Sequence, residues 1–305
     1  RYQPVLSFKD SGFRQILILM TPAVFGLAST QINIFVNTII ASLLPEASPS
    51  YLNYSFRLMH FPLGVFGIAV ATVTLPVVSA YAARQDMANV LATCRSSLEL
   101  VAFLTLPSTF FLAIASQPLI SVLYQHGRFT YADTIATSQA LLFYALGLFF
   151  YASVRVVAQV FYSFQNTKTP VKVSFLAVGA NIILNLALMK PLSFRGLALA
   201  TSLAAMINFS VLSLSLTRKY GSIGWSAWLK SIARILLASL IMGFALFLIE
   251  YFWPLSLPQA TLKIKIFYLA VLLAGALVVY SLACYFLKIK ELALLWKILN
   301  RQEKS

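Results

Sequence analysis

A chain of 305 residues, 60% hydrophobic and 10% charged, carries far less charge than a soluble domain, where charged residues make up about a quarter. Its mean hydropathy of +0.85 and repeated apolar runs point to an all-α polytopic membrane protein, because a helix satisfies its own backbone in lipid. The net charge of +15 lies outside any basic stretch interleaved with aromatics, which excludes nucleic-acid binding. Cys94 and Cys284 lack CxxC spacing, which excludes a zinc site or a disulfide framework.

Eight apolar segments follow in chain order, over 13–44, 51–81, 94–116, 134–163, 170–189, 194–217, 230–252 and 262–287. Several are longer than a perpendicular crossing needs, so tilt or bending is expected. Between them, 82–93 (AARQDMANVLAT) reads as a short interfacial helix and 117–133 as a second surface element. The tail KIKELALLWKILNRQEKS puts Leu292, Leu294, Leu295, Ile298 and Leu299 near one helical face. That pattern reads as an amphipathic helix on the membrane surface or as a frayed basic tail. The first residue is Arg1 and no signal peptide precedes the first segment, so the sequence is expected to be a piece of a longer protein.

Orientation follows from lysine and arginine. With the N-terminus inside, sixteen fall on the inner side, five (Arg128, Lys190, Arg195, Lys263, Lys265) on the outer side, and Arg57 and Arg155 within segments. The imbalance predicts both ends in the cytoplasm.

Polar groups inside the apolar segments are the first functional candidates, because lipid penalises them. Arg57 lies seven residues, roughly 10 Å, below the outer end of the second segment. Asn37 is equally deep in the first segment. Asn181 and Asn185 share one face of the fifth, and Thr201 lies at similar depth in the sixth. Asn and Thr at such depth commonly bond between helices. Arg57 reads either as snorkelling to head groups or as facing a cavity. Pro62, Gly64 and Gly67 nearby favour the cavity, since interrupted helices line cavities in transporters. A cation there suits an anionic substrate, phosphate above all. Arg155 divides between a cavity role and snorkelling inward. Gly196, Ala200 and Ala204 have the small-xxx-small spacing of close helix packing.

Catalysis is not indicated. The chain has eight acidic residues and two histidines, with no carboxylate pair in a segment, no P-loop and no nucleophile elbow.

An ordered set of motifs then carries a resemblance: FRLMHFPLGVFGIAVATVTLPVVS, with QINIFVNTIIASLL, LYQHGRFT, FYSFQNTKTPVKV, NIILNLAL and GLALATSLAA. The chain resembles the MurJ/MviN lipid II flippases of the multidrug/oligosaccharidyl-lipid/polysaccharide exporter superfamily. The resemblance implies spans 7–14 of a fourteen-span protein, with 1–220 as its second six-helix half and 221–305 as two added helices and a tail. It implies an N-terminal half missing from this sequence. It also implies alternating access around a cationic cavity that takes lipid II, the undecaprenyl-pyrophosphate-linked peptidoglycan precursor, in the bacterial inner membrane. Arg57 matches a cavity arginine and is expected to contact the pyrophosphate. Asn37, Asn181, Asn185 and Thr201 fall where some relatives bind sodium, but Asn37 and Asn185 stand where those relatives have carboxylates, which weakens any sodium site. Phe164 and Asn166 stand where relatives often have Arg and Asp, and Arg155 where Lys is common, so different pairing is expected in the inner loop. The alternatives are a polysaccharide-lipid flippase or drug exporter of the same superfamily, and a non-transporting scaffold or split-gene remnant.

Overall fold

The computed structural model describes residues 13, 28, 31–45, 47–255 and 259–293. Within these residues the chain is helical, with no strand. In chain order the helices are α1 (Gln31–Ser42), then α2 (Ser48–Pro62), α3 (Ala69–Ala83), α4 (Met87–Ile114), α5 (Ser116–Tyr124), α6 (Tyr131–Ala145), α7 (Leu148–Ser163), α8 (Lys168–Leu192), α9 (Phe194–Tyr220), α10 (Trp225–Phe252) and α11 (Leu262–Phe286). Seven stretches are long and apolar enough to cross a membrane, with α2–α3 and α6–α7 each acting as one. The short apolar helix α1 stands in the place of the first expected segment, so the protein is a multi-pass membrane protein.

The expected interruption of the second segment takes a specific form. Pro62 supplies no N–H, and from Leu63 to Ile68 the chain is π-helical before α3 resumes. The Ser48–Ala83 rod therefore continues across its Pro/Gly stretch. Gly67 serves packing: a Cβ there would lie 3.1 Å from that of Ala152 on α7. The interruption expected at Pro62, Gly64 and Gly67 is thus a π-helical stretch within one rod.

Residues 82–93 form no separate interfacial helix. A turn at 84–86 ends α3, and Asp86 caps α4 by accepting from the Asn89 N–H at 3.1 Å. The Asn89 hydrogen bonds hold the exposed Asp86 carboxyl below its ordinary value. In 117–133 the nine-residue α5 leads to a loop, and Thr130 and Asp133 form a reciprocal capping box that starts α6. Tyr51 donates to Asp133 at 2.7 Å and ties α2 to that start.

The α6–α7 rod and α9 are the central elements, with 61% and 56% of their apolar windows buried, against 22% for α8 and for α11. Close approach requires glycine in two places. A Cβ on Gly147 would meet the Ser202 side chain and backbone at 2.7–3.0 Å, and one on Gly196 would strike the Leu188 carbonyl. The Gly196, Ala200 and Ala204 ridge is buried, and Gly196 closes the tight α8–α9 hairpin. Cys94 and Cys284 are free thiols inside the packing. Leu292 packs on the core, and the other apolar residues expected on the tail helix lie outside the described residues.

Candidate functional site

Between α1, α2, α6, α7, α8 and α9 lies a cavity of about 400 Å³. At one end is a closed ring of carboxamides. Asn33 donates to Asn181 at 3.2 Å, Asn37 to Asn33 at 2.9 Å, and Asn185 to Asn181 at 3.0 Å and to Asn37 at 2.5 Å. The ring follows from geometry, since each pair is four apart on its own helix and so stacks on one face. Asn181 and Asn185 are fully buried. Thr201 extends the ring to α9, with a 3.5 Å contact from Asn181, while its hydroxyl donates to the Leu197 carbonyl at 2.8 Å.

Of the polar residues expected at one depth, the structure brings Asn37, Asn181, Asn185 and Thr201 together and leaves Arg57 apart. Arg57 is exposed on α2 and does not line the cavity, whose α2 wall is Pro49, Leu52, Asn53, Phe56 and His60. Its charge acts instead on Tyr124 of α5, where burial pushes the phenol up and Arg57 opposes that rise. No hydrogen bond or ion pair reaches Arg57 among the described residues. Asn33 is the ring member that depth matching missed. Its signal was the Asn-x-x-x-Asn spacing in QINIFVN, the same as in NIILN.

The ring's chemistry bears on sodium. Such a cation needs oxygens free of N–H donors and benefits from negative charge. Here the side-chain oxygens of Asn33, Asn37 and Asn181 each accept an amide proton, and the Asn185 oxygen alone is buried without a partner. No carboxylate lines the cavity. In this arrangement the residues do not fit a sodium ion.

The other end of the cavity holds Arg155 of α7, His60 of α2, Ser174 of α8 and Asn208 of α9. His60 Nδ1 lies 3.0 Å from the Phe56 carbonyl, and its ring stands 6.5 Å from that of Tyr151. The loop between α7 and α8 pairs without charge. Phe164 stacks on Tyr220 at 4.6 Å, and Asn166 bonds the Tyr220 hydroxyl at 3.4 Å and caps α8 through Thr169.

Among the described residues no group of three or more His, Cys, Asp or Glu side chains could hold a metal. A smaller cavity of about 300 Å³ near the end of α10 is lined by Glu250 with Gln117 and Gln139.

The comparisons agree on one family. The description "Lipid II flippase MurJ" matches residues 1–289. A probable lipid II flippase MurJ of Vibrio cholerae is 37% identical over 246 residues, covering 80% of this chain and 46% of that protein. The Haemophilus influenzae relative is 32% identical over 305 residues, covering 97% and 59%. The chain thus spans about half the length of the curated relatives it matches. A solved lipid II flippase MurJ in an inward closed conformation superposes with a TM-score of 0.76 at 28% identity, covering 94% of this chain and 57% of that one. A transporter of the MOP superfamily from Pyrococcus furiosus shares the fold, with a TM-score of 0.60 at 16% identity over 91% of this chain and 66% of its own. Matched along nearly all of its length, the chain belongs to the lipid II flippase MurJ family.

Proposed function

We propose that this chain takes part in moving lipid II, the lipid-linked peptidoglycan precursor, across a bacterial inner membrane by alternating access, with Arg57 meeting the pyrophosphate. The observation that carries this reading is Arg57 itself. It is an arginine in an apolar rod, exposed and without a carboxylate partner among the described residues, in a chain of this family. A guanidinium fork matches phosphate oxygens bidentately, and the membrane gives such a group little else to pair with. The reading places both ends in the cytoplasm, on the lysine and arginine distribution. It assigns residues 1–220 to a six-helix transporter half and 221–305 to two further helices and a tail.

Complementation of a flippase-depleted strain tests it, with the chain supplied alone and joined to the remaining part of the Haemophilus influenzae relative. Growth should return in at least one format, and Arg57→Ala should abolish it at equal membrane expression. Full rescue by Arg57→Ala removes the assigned role. Flipping of undecaprenyl-linked O-units in vesicles, in place of lipid II, would move the reading to a polysaccharide-lipid flippase.

A further inference from the structure

The pocket beside Glu250 has no part in the transport reading. It lies where the end of α4 and the start of α5 meet α6 and α10, and encloses about 300 Å³. Glu250 stands two residues from the end of α10, and the exposed Tyr251, Phe252 and Trp253 follow it. Interfacial aromatics of this kind mark the level where lipid meets head groups. Ser138 and Gln139 lie seven and eight residues into α6, about 10–12 Å from its start, so the pocket reaches below that level.

Charge in this pocket is unbalanced. Glu250 is half-buried and has no hydrogen bond or ion pair among the described residues. Lys265, on the neighbouring α11, is buried and donates to Gln125 at 3.1 Å instead. A carboxylate at this depth ordinarily has a partner. The rest of the polar lining offers mainly acceptors. Ser116 gives its proton to the Ala113 carbonyl at 3.2 Å and Ser138 to the Ile135 carbonyl at 2.8 Å, which leaves their lone pairs open. The Gln117 oxygen takes a long 3.5 Å contact from Tyr131, and Gln139 has no hydrogen bond among the described residues. Phe247 adds an exposed ring to the wall, and ring faces attract cations. No second carboxylate and no imidazole lines the pocket, so its donor set is poor for a metal.

We infer that this pocket is a site for a primary ammonium group, with Glu250 as its counter-charge and the oxygens of Ser116, Gln117, Ser138 and Gln139 as acceptors. Three N–H donors on one cationic centre match a carboxylate flanked by neutral oxygens. A quaternary ammonium carries the same charge but has no N–H to give, so it binds less well. An aminophospholipid head group and a soluble alkylamine present the same three donors. The inference rests neither on the transport reading nor on Arg57.

Native mass spectrometry of the 305-residue chain in detergent tests it, with dioleoyl phosphatidylethanolamine titrated against dioleoyl phosphatidylcholine. The ethanolamine lipid should be retained in preference, and Glu250→Gln should lower that preference about tenfold, the loss of one charge-assisted bond. Ala113→Phe, which fills the pocket and keeps the carboxylate, should lower it too, so the test survives if Glu250→Gln fails to fold. Glu291→Gln, a half-buried carboxylate beyond the other end of α11, should leave it unchanged. Equilibrium dialysis of hexylammonium reads the source. Preference for the ethanolamine lipid assigns the occupant to the membrane. Saturable, Glu250-dependent hexylammonium binding without that preference assigns a soluble amine. Neither result, or an unchanged result in both pocket variants, overturns the inference. So does an equal loss in Glu291→Gln, which would mean that overall charge is being read, or displacement by potassium or hexyltrimethylammonium as strong as by hexylammonium. Failure of complementation leaves it standing.

Discussion

Asn185 donates its side-chain amide to the Asn37 oxygen at 2.5 Å, joining α8 to α1 across 148 residues of sequence. Two neutral carboxamides thus meet inside the apolar layer, with Asn33 and Asn181 completing a ring that uses most of its own donors and acceptors. Such a ring ties the two helices together through their own side chains.

Restoring charge should change that. The double variant Asn37→Asp, Asn185→Asp places two carboxylates where amides now bond, and they repel each other unless a cation lies between them. Thermal unfolding in nanodiscs should then rise in sodium relative to choline, whereas the unchanged chain should respond equally to both. A sodium-specific rise in the unchanged chain would contradict the neutral-ring account.

Gly147 and Gly179 should behave oppositely. A Cβ on Gly147 would collide with Ser202, whose hydroxyl donates to the Phe143 carbonyl at 2.7 Å. Gly147→Val should therefore destabilise by about 1–3 kcal/mol, the usual range for overpacking. Gly179 in α8 has nothing within 4 Å of a built Cβ, so Gly179→Ala should stabilise by about 0.5–1 kcal/mol through helix propensity. Thermal midpoints in the same nanodiscs check both.

The hydroxyl of Tyr51 offers a single-atom test. Its bond to Asp133 ties α2 to the capping box of α6. Tyr51→Phe removes only that oxygen and should cost about 1–2 kcal/mol. Amide exchange should speed up first in the initial turn of α6.

For Asp86 the prediction is a pH dependence. Bonds from Asn89 stabilise the carboxylate, so its folded pKa is depressed and its support for the cap is present above the unfolded value. That support is lost as pH falls through the folded value. Protection from exchange at the first turn of α4, taken relative to the intrinsic rate at each pH, should fall as pH drops below the ordinary carboxylate range, and in Asp86→Ala it should be low and independent of pH there.

The fold was largely legible because apolar run length is a strong signal in lipid. The depth argument also found Asn37, Asn181, Asn185 and Thr201 as a group. It failed for Arg57 because depth fixes height along a helix and says nothing of azimuth. Arg57 flanks the face of α2 that carries Asn53, Phe56 and His60 and is not among the residues that line the cavity. Arg155 divided between two readings for the same reason, and the packing of α7 against α9 resolved it toward the cavity. Residues 82–93 misled because one capping aspartate is enough to start a long helix within a stretch that reads as interfacial.

The π-helical stretch at Leu63–Ile68 also sets a phase. Its extra residue rotates everything downstream by about 100° relative to an uninterrupted α-helix. One rod can thereby aim Asn53 and His60 at the cavity and, a few turns later, Thr74 at Ser97 of α4, where the two hydroxyls bond at 2.8 Å. Removing a single residue from that stretch would leave each half helical and its composition nearly unchanged, yet the two halves could no longer both face their partners. In this rod, length counted in residues is itself a coded angle.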